Sequence, residues 1–210
     1  MKNIVAQFKK LKIIPVITLE TSEGTDRLAS ALIEGGLPCA EITLRTEAGL
    51  DAIKKMSQNG TILVGAGTVL TKDQASKAQD AGAGFVVSPG FNPEVVQHCI
   101  DSSIPIFPGI SNPTDIEMAL SFGLTNLKFF PAEAYGGVKT IKALSSPYPM
   151  VNFLPTGGIS EKNIRDYLAQ ESVIACGGSW LVKSEWLKAG DYDRIVSTVQ
   201  SAIKLVEKND

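Results

Sequence analysis

The chain is poor in the residues that most often do chemistry. One of its 210 residues is a histidine, His98. A hydrolytic zinc site usually draws on two or three histidines, so a catalytic zinc centre lacks its ligand set here. A serine–histidine–acid triad would have a single candidate base. His98 sits in "NPEVVQHCID", whose apolar spacing is helical, and reads as a surface or helix-packing residue. The three cysteines, Cys39, Cys99 and Cys176, are odd in number and far apart. They form neither a CxxC motif nor a disulfide framework, which fits a reducing cytosol, and a cytoplasmic location is expected. No apolar run reaches the roughly 18 residues of a spanning helix. The opening "MKNIVAQFKKLK" alternates charge and apolar residues, without the continuous apolar core of a signal peptide. Lysine plus arginine number 20 against 22 acidic residues, a net charge of −2. That balance offers no broad basic field to nucleic acid or to an anionic membrane.

What the chain has is apolar substance, 44% of its residues, enough for one large core. It comes in eight short runs: "IIPVITL" (13–19), "CAEITLR" (39–45), "TILVGAG" (61–67), "FVVSP" (85–89), "IPIFPGI" (104–110), "NLKFFPA" (126–132), "VNFLPTG" (151–157) and "VIACGGSW" (173–180). Their starts lie 19 to 26 residues apart. Between them stand segments such as "TDRLASALIEGG", with apolar residues at i, i+3, i+4 and a closing glycine. Asn92-Pro93 and Asn112-Pro113 place a capping residue ahead of proline at a helix start. Thr71 with Gln74 reads as a capping box. Strands alternating with helices argue for a parallel sheet. Eight such units in 210 residues point to a (β/α)8 TIM barrel over residues 1–210, a single domain with an extra helix at about 2–11. The alternative, an open doubly wound sheet, would more often carry GxGxxG after its first strand, and "ITLETSEGTD" has none.

Alternation along the runs then shows which residues enter the barrel. In "CAEITLR", Ile42 and Leu44 face the helices, so Glu41, Thr43 and Arg45 face inward. In "TNLKFFPAEA", Leu127 and Phe129 face out, while Asn126, Lys128 and Phe130 face in. In "VNFLPTGG", Asn152 and Thr156 face in. A lysine inside a barrel is costly unless it is paired or has a job. One reading is a buried Lys128–Glu41 ion pair, which rarely adds net stability. The other is a nucleophilic amine. A free lysine is only about 0.1% neutral at pH 7.5, and burial or a neighbouring cation raises that share. Such an amine attacks a ketone to give a Schiff base, whose imine withdraws electrons as carbon–carbon cleavage requires. Glu41 would then move protons and Arg45 would hold a substrate carboxylate by its planar fork. The glycine pairs of "PTGGIS" and "CGGSW" follow the last two runs, where many barrels hold phosphate. Gly157, Gly158, Gly178 and Ser179 are the phosphate candidates. A lone glycine pair is commonly just a turn.

In order along the chain, "PVITL", "AEITLRT", "GAGTVL", "VSPG", "PGISNPTDIEMAL", "KFFPAEAYGGVKTIKAL", "PTGGIS" and "GGSWLV" resemble the class I bacterial aldolases that act on 2-keto-3-deoxy-6-phosphogluconate, also described as 4-hydroxy-2-oxoglutarate aldolases. The resemblance implies a homotrimer of barrels with no metal or organic cofactor. It implies reversible cleavage of a phosphorylated keto-acid substrate to pyruvate and glyceraldehyde 3-phosphate, in the Entner–Doudoroff route. Carried over by motif, Lys128 is the Schiff-base lysine and Glu41 the general acid/base. Arg45 and Thr68 bind the pyruvyl carboxylate, Pro89 lines the pocket and Thr156 orients substrate. Gly157, Gly158, Gly178 and Ser179 hold the phosphate. The competing expectations are an aldolase for the galactonate-derived C4 epimer, a phosphate-binding barrel isomerase or epimerase, and a sugar-phosphate sensor without turnover.

Overall fold

A computed structural model of the chain describes residues 2–58 and 60–207. After α1 (Lys2–Leu11), strands and helices alternate: β1 (Ile13–Ile17), α2 (Thr25–Glu34), β2 (Cys39–Thr43), α3 (Gly49–Ser57), β3 (Leu63–Gly67), α4 (Lys72–Asp80), β4 (Phe85–Val87) and α5 (Pro93–Asp101). The second half continues with β5 (Ile106–Phe107), β6 (Gly109–Ile110), α6 (Pro113–Ser121), β7 (Asn126–Phe129), α7 (Gly137–Ser145), β8 (Asn152–Pro155), α8 (Ile164–Leu168), β9 (Cys176–Gly178), α9 (Ser184–Ala189) and α10 (Tyr192–Glu207).

Hydrogen bonding joins the strands into two parallel sheets, β5-β4-β3-β2-β1-β9 and β6-β7-β8. Two features close them into one barrel. β5 and β6 are halves of a single strand interrupted at Pro108, which has no N–H to give to a ladder. Its carbonyl still accepts from the Lys128 amide at 2.9 Å. On the other side, the Thr156–Gly177 and Phe153–Val173 bridges join β8 to β9. The result is a (β/α)8 barrel whose eight strands fall within the eight apolar runs of the sequence.

Helix starts obey the local signals. Gln74 N–H donates to Thr71 Oγ1 at 3.1 Å and Thr71 N–H to Gln74 Oε1 at 3.3 Å, completing the capping box. Asn92 and Asn112 accept from the first-turn amides of α5 and α6, each ahead of a proline. Such caps contribute about 1 kcal/mol apiece. No helix among the described residues is long and apolar enough to cross a membrane.

Apolar side chains divide into two cores. The larger lies between strands and helices and takes Ile17, Ile42, Leu127, Phe129 and Phe153. The smaller fills the barrel's lower interior with Ile14, Cys39, Phe85, Phe107 and Leu154. Phe8 of α1 belongs to this inner core and is fully buried. Its ring meets Phe85 edge-on at 5.0 Å and Phe107 at 5.1 Å. The extra helix is therefore a plug at the N-terminal end of the barrel. It leaves the C-terminal mouth as the end where polar side chains collect.

Candidate active site

Above the apolar floor the barrel turns polar. On β2 the inward residues run Cys39, Glu41, Thr43 from floor to mouth, and the chain then leaves the strand toward Arg45. Glu41 has 1% of its surface exposed and Lys128, across the barrel on β7, has 5%. Lys128 Nζ donates to Glu41 Oε1 at 3.2 Å. The ammonium also stands 5.3 Å from the centre of the Phe130 ring, a cation–π contact. Both sequence readings of Lys128 thus meet in one geometry, since the buried ion pair is also the amine and carboxylate needed for imine chemistry.

Two oxygens here have no partner among the described residues. Glu41 Oε2 and Thr156 Oγ1 are buried and accept or donate nothing. Buried polar atoms are almost always satisfied, and an exception calls for an explanation. Both lie on inward strand positions near the C-terminal end, where a ligand carrying hydroxyl or carbonyl groups could satisfy them. Below Glu41, burial and then the carboxylate's charge hold the Cys39 thiol far above its ordinary pKa. Cys39 stays a neutral thiol and offers no competing nucleophile.

The rim is built from the loops that follow the strands. Arg45 Nε donates to Thr68 Oγ1 at 3.2 Å, and the arginine is otherwise exposed to solvent. Thr68 adopts φ 58° immediately after β3, a left-handed conformation that costs a non-glycine residue roughly 1–2 kcal/mol. That sharp exit turns its hydroxyl toward Arg45. Pro89 follows β4 and is half-buried beside Gly109, where an added Cβ would lie 2.1 Å from the Pro89 carbonyl oxygen.

The two glycine pairs come together because Thr156 bridges to Gly177. Gly157 and Gly158, which continue from Thr156, have φ of 101° and 78°, conformations that favour glycine. A Cβ on Gly158 would also stand 2.6 Å from Glu133 Cβ. The segment after β7 clamps this loop: the Ala132 amide donates to Thr156 O at 2.8 Å and the Glu133 amide to Gly157 O at 3.1 Å. Tyr167 O–H donates to Glu133 Oε1 in turn. Gly178 ends β9 under the ring of Trp180, and Ser179 is exposed at the rim.

Some inward residues do other work. Asn152 donates to Asn126 at 3.1 Å, two residues below Lys128 in the paired strands, and lies toward the far end from the mouth. Thr43 pairs its hydroxyl with Thr18 at 2.8 Å. His98 bonds Ser76 across α4 and α5, a helix-packing role. Sequence reasoning left Glu133 and Tyr167 unassigned. The only signal was that "PAEA" follows an inward lysine, and nothing local reveals that it braces a loop some 25 residues on. Alternation places Phe130 on the inward face, but its contact with the Lys128 ammonium depends on the turn after β7.

Comparison with known proteins converges on one family. The family model described as KDPG and KHG aldolase matches residues 4–198. A 2-dehydro-3-deoxy-phosphogluconate aldolase of Treponema pallidum is 48% identical over 207 residues, covering 98% of this chain and 99% of the relative. A KHG/KDPG aldolase of Escherichia coli K12 is 44% identical over 193 residues, 91% of each chain. Among solved structures, a KDPG aldolase from Legionella pneumophila, with pyruvate captured at low pH as a covalent carbinolamine intermediate, superposes with a TM-score of 0.91. It is 37% identical, covering 94% of this chain and 97% of that one.

Proposed function

The chain belongs to the KDPG and KHG aldolase family, and from that membership we propose that it is a class I aldolase. It cleaves 2-keto-3-deoxy-6-phosphogluconate reversibly to pyruvate and glyceraldehyde 3-phosphate, the Entner–Doudoroff step, and acts also on 4-hydroxy-2-oxoglutarate. The observation that carries the reading is the buried Lys128–Glu41 pair at 3.2 Å with Glu41 Oε2 unpartnered.

The reaction follows from the arrangement. Lys128 passes a proton to Glu41, and its neutral amine attacks the C2 ketone to form a carbinolamine. Glu41 returns that proton to the departing hydroxyl, and loss of water leaves a protonated imine. Glu41 takes the proton of the C4 hydroxyl, the C3–C4 bond breaks, and its electron pair moves into the imine to give an enamine. The aldehyde departs. Protonation at C3 and addition of water then release pyruvate and regenerate the lysine. Each proton transfer of this kind contributes on the order of 10²–10⁴ in rate.

Roles for the remaining residues follow the family motifs that carry them. Arg45 and Thr68, already joined at 3.2 Å, hold the pyruvyl carboxylate. Pro89 lines the pocket, and Thr156 Oγ1 orients a substrate hydroxyl. The amides around Gly157, Gly158, Gly178 and Ser179 hold the phosphate. Residues 1–210 act as one barrel unit. A homotrimer follows the family resemblance, and sedimentation as a monomer at working concentration would overturn it. Cytoplasmic location is inferred from the cysteine pattern, three residues odd in number and far apart in the sequence, which form no disulfide framework.

The test is chemical trapping. The protein and its Lys128→Ala variant are incubated with pyruvate and borohydride, and adducts are mapped by mass spectrometry. An adduct on Lys128, absent in the variant, is expected. Its absence under conditions that trap a known Schiff-base enzyme would remove the nucleophile and bring the isomerase reading forward. Turnover of the two C4 epimers then identifies the sugar-acid series.

A further inference from the structure

Gly67 is the last residue of β3, paired in register with Thr43. Its φ is not in the left-handed region, so its backbone is one that alanine can adopt. What a side chain lacks here is room. A Cβ at this position would stand 2.3 Å from Glu41 Oε1, 2.7 Å from Cγ and 2.9 Å from Cδ. The three nearest atoms all belong to Glu41. Ordinary carbon contacts begin near 3.5 Å, so one partner must move. β3 is held by ladders to β2 and β4 on its two sides, whereas the carboxylate is the end of a flexible side chain. The carboxylate would yield.

That carboxylate accepts from Lys128 through Oε1 and has an unpartnered Oε2. Its side chain leans along the barrel past its own partner in the register, Gly65, toward Gly67 and the mouth. We propose that Gly67 is a positioning residue for the reaction. Its missing side chain is the space in which Glu41 lies, and this sets the carboxylate between the Lys128 amine and the substrate. Gly67 acts through Glu41, whose atoms are the nearest to where its Cβ would stand. The inference rests on the reading of Glu41 as the acid/base.

The experiment compares wild type, Gly67→Ala, Glu41→Ala and the double variant. Three readouts are taken: thermal unfolding, borohydride trapping of pyruvate, and exchange of the pyruvate methyl protons in deuterated water. Exchange in Gly67→Ala should fall by about 100-fold or more, the scale of a lost general base, while the Lys128 adduct still forms. In the Glu41→Ala background the same substitution should add less than about twofold, because the pair acts as one unit. Exchange in Gly67→Ala within about threefold of wild type, or an equal loss in both backgrounds, would overturn the proposal. Should Gly67→Ala fold poorly, recovery of its melting temperature in the double variant would still identify Glu41 as the obstructed group. No recovery would reject it. A wild type that neither traps pyruvate nor exchanges its protons would instead overturn the aldolase reading itself.

Discussion

Lys128 and Glu41 meet at 3.2 Å although 87 residues separate them in the chain, with 6% and 1% of their side chains exposed. Desolvation of both groups works against their attraction, so the pair is expected to add little net stability. We expect Lys128→Met alone to lose about 3–5 kcal/mol, because it strands a buried carboxylate. The double variant Lys128→Met/Glu41→Leu should be as stable as wild type or better by about 1–4 kcal/mol, and inactive. Urea unfolding of the three proteins checks this. A double variant weaker than the single one would show that the pair serves the fold.

Arg45 is exposed and bonded to Thr68, so its removal should hardly touch stability. Arg45→Ala should lower kcat/KM for the keto acid by about 10- to 100-fold, the value of a hydrogen bond to a charged group. Arg45→Lys should recover only part, since an ammonium lacks the planar fork. Steady-state kinetics with matched melting curves decide the point. A variant with unchanged kcat/KM would move the carboxylate elsewhere.

Phe8 seals the end of the barrel opposite the chemistry. Phe8→Ala removes a fully buried ring that contacts Phe85 and Phe107 and should cost about 3–5 kcal/mol. Activity per folded molecule at low temperature should persist, because the mouth is built from other elements. Loss of activity without loss of stability would show that the plug also shapes the site.

Burial raises the thiol pKa of Cys39 and Cys176 strongly and that of Cys99 to about 11. A thiol in the unfolded chain titrates near 8.5. The folded state therefore keeps protons that the unfolded state releases, and stability is full below about pH 8.5 and declines as pH rises above it. Urea midpoints should be level from about pH 7 to 8.5 and then fall. Cys39→Ala/Cys176→Ala should show a shallower fall. An equal slope in that variant would assign the effect to other groups, such as Tyr167, whose phenol is also raised by burial and by Glu133.

The sequence by itself determined the barrel's parts and half of its chemistry. Period-2 alternation around "CAEITLR" and "NLKFFPA" settled that Glu41 and Lys128 point away from the helices, because side chains on a strand have only two faces. Thr71 with Gln74, and asparagine ahead of proline, marked helix starts because caps are local hydrogen bonds between neighbours in sequence. The tertiary structure decided everything that depends on which strands become neighbours. Closure through Pro108 and the Thr156–Gly177 bridge placed the two glycine loops side by side. It brought Glu133 against Gly158 and put Phe8 beneath Phe85. It also opened, at Gly67, the space in which Glu41 lies. A glycine in a strand looks the same in sequence whether it relieves a turn or makes room for another residue's side chain. Only the packed barrel shows whose side chain fills the space.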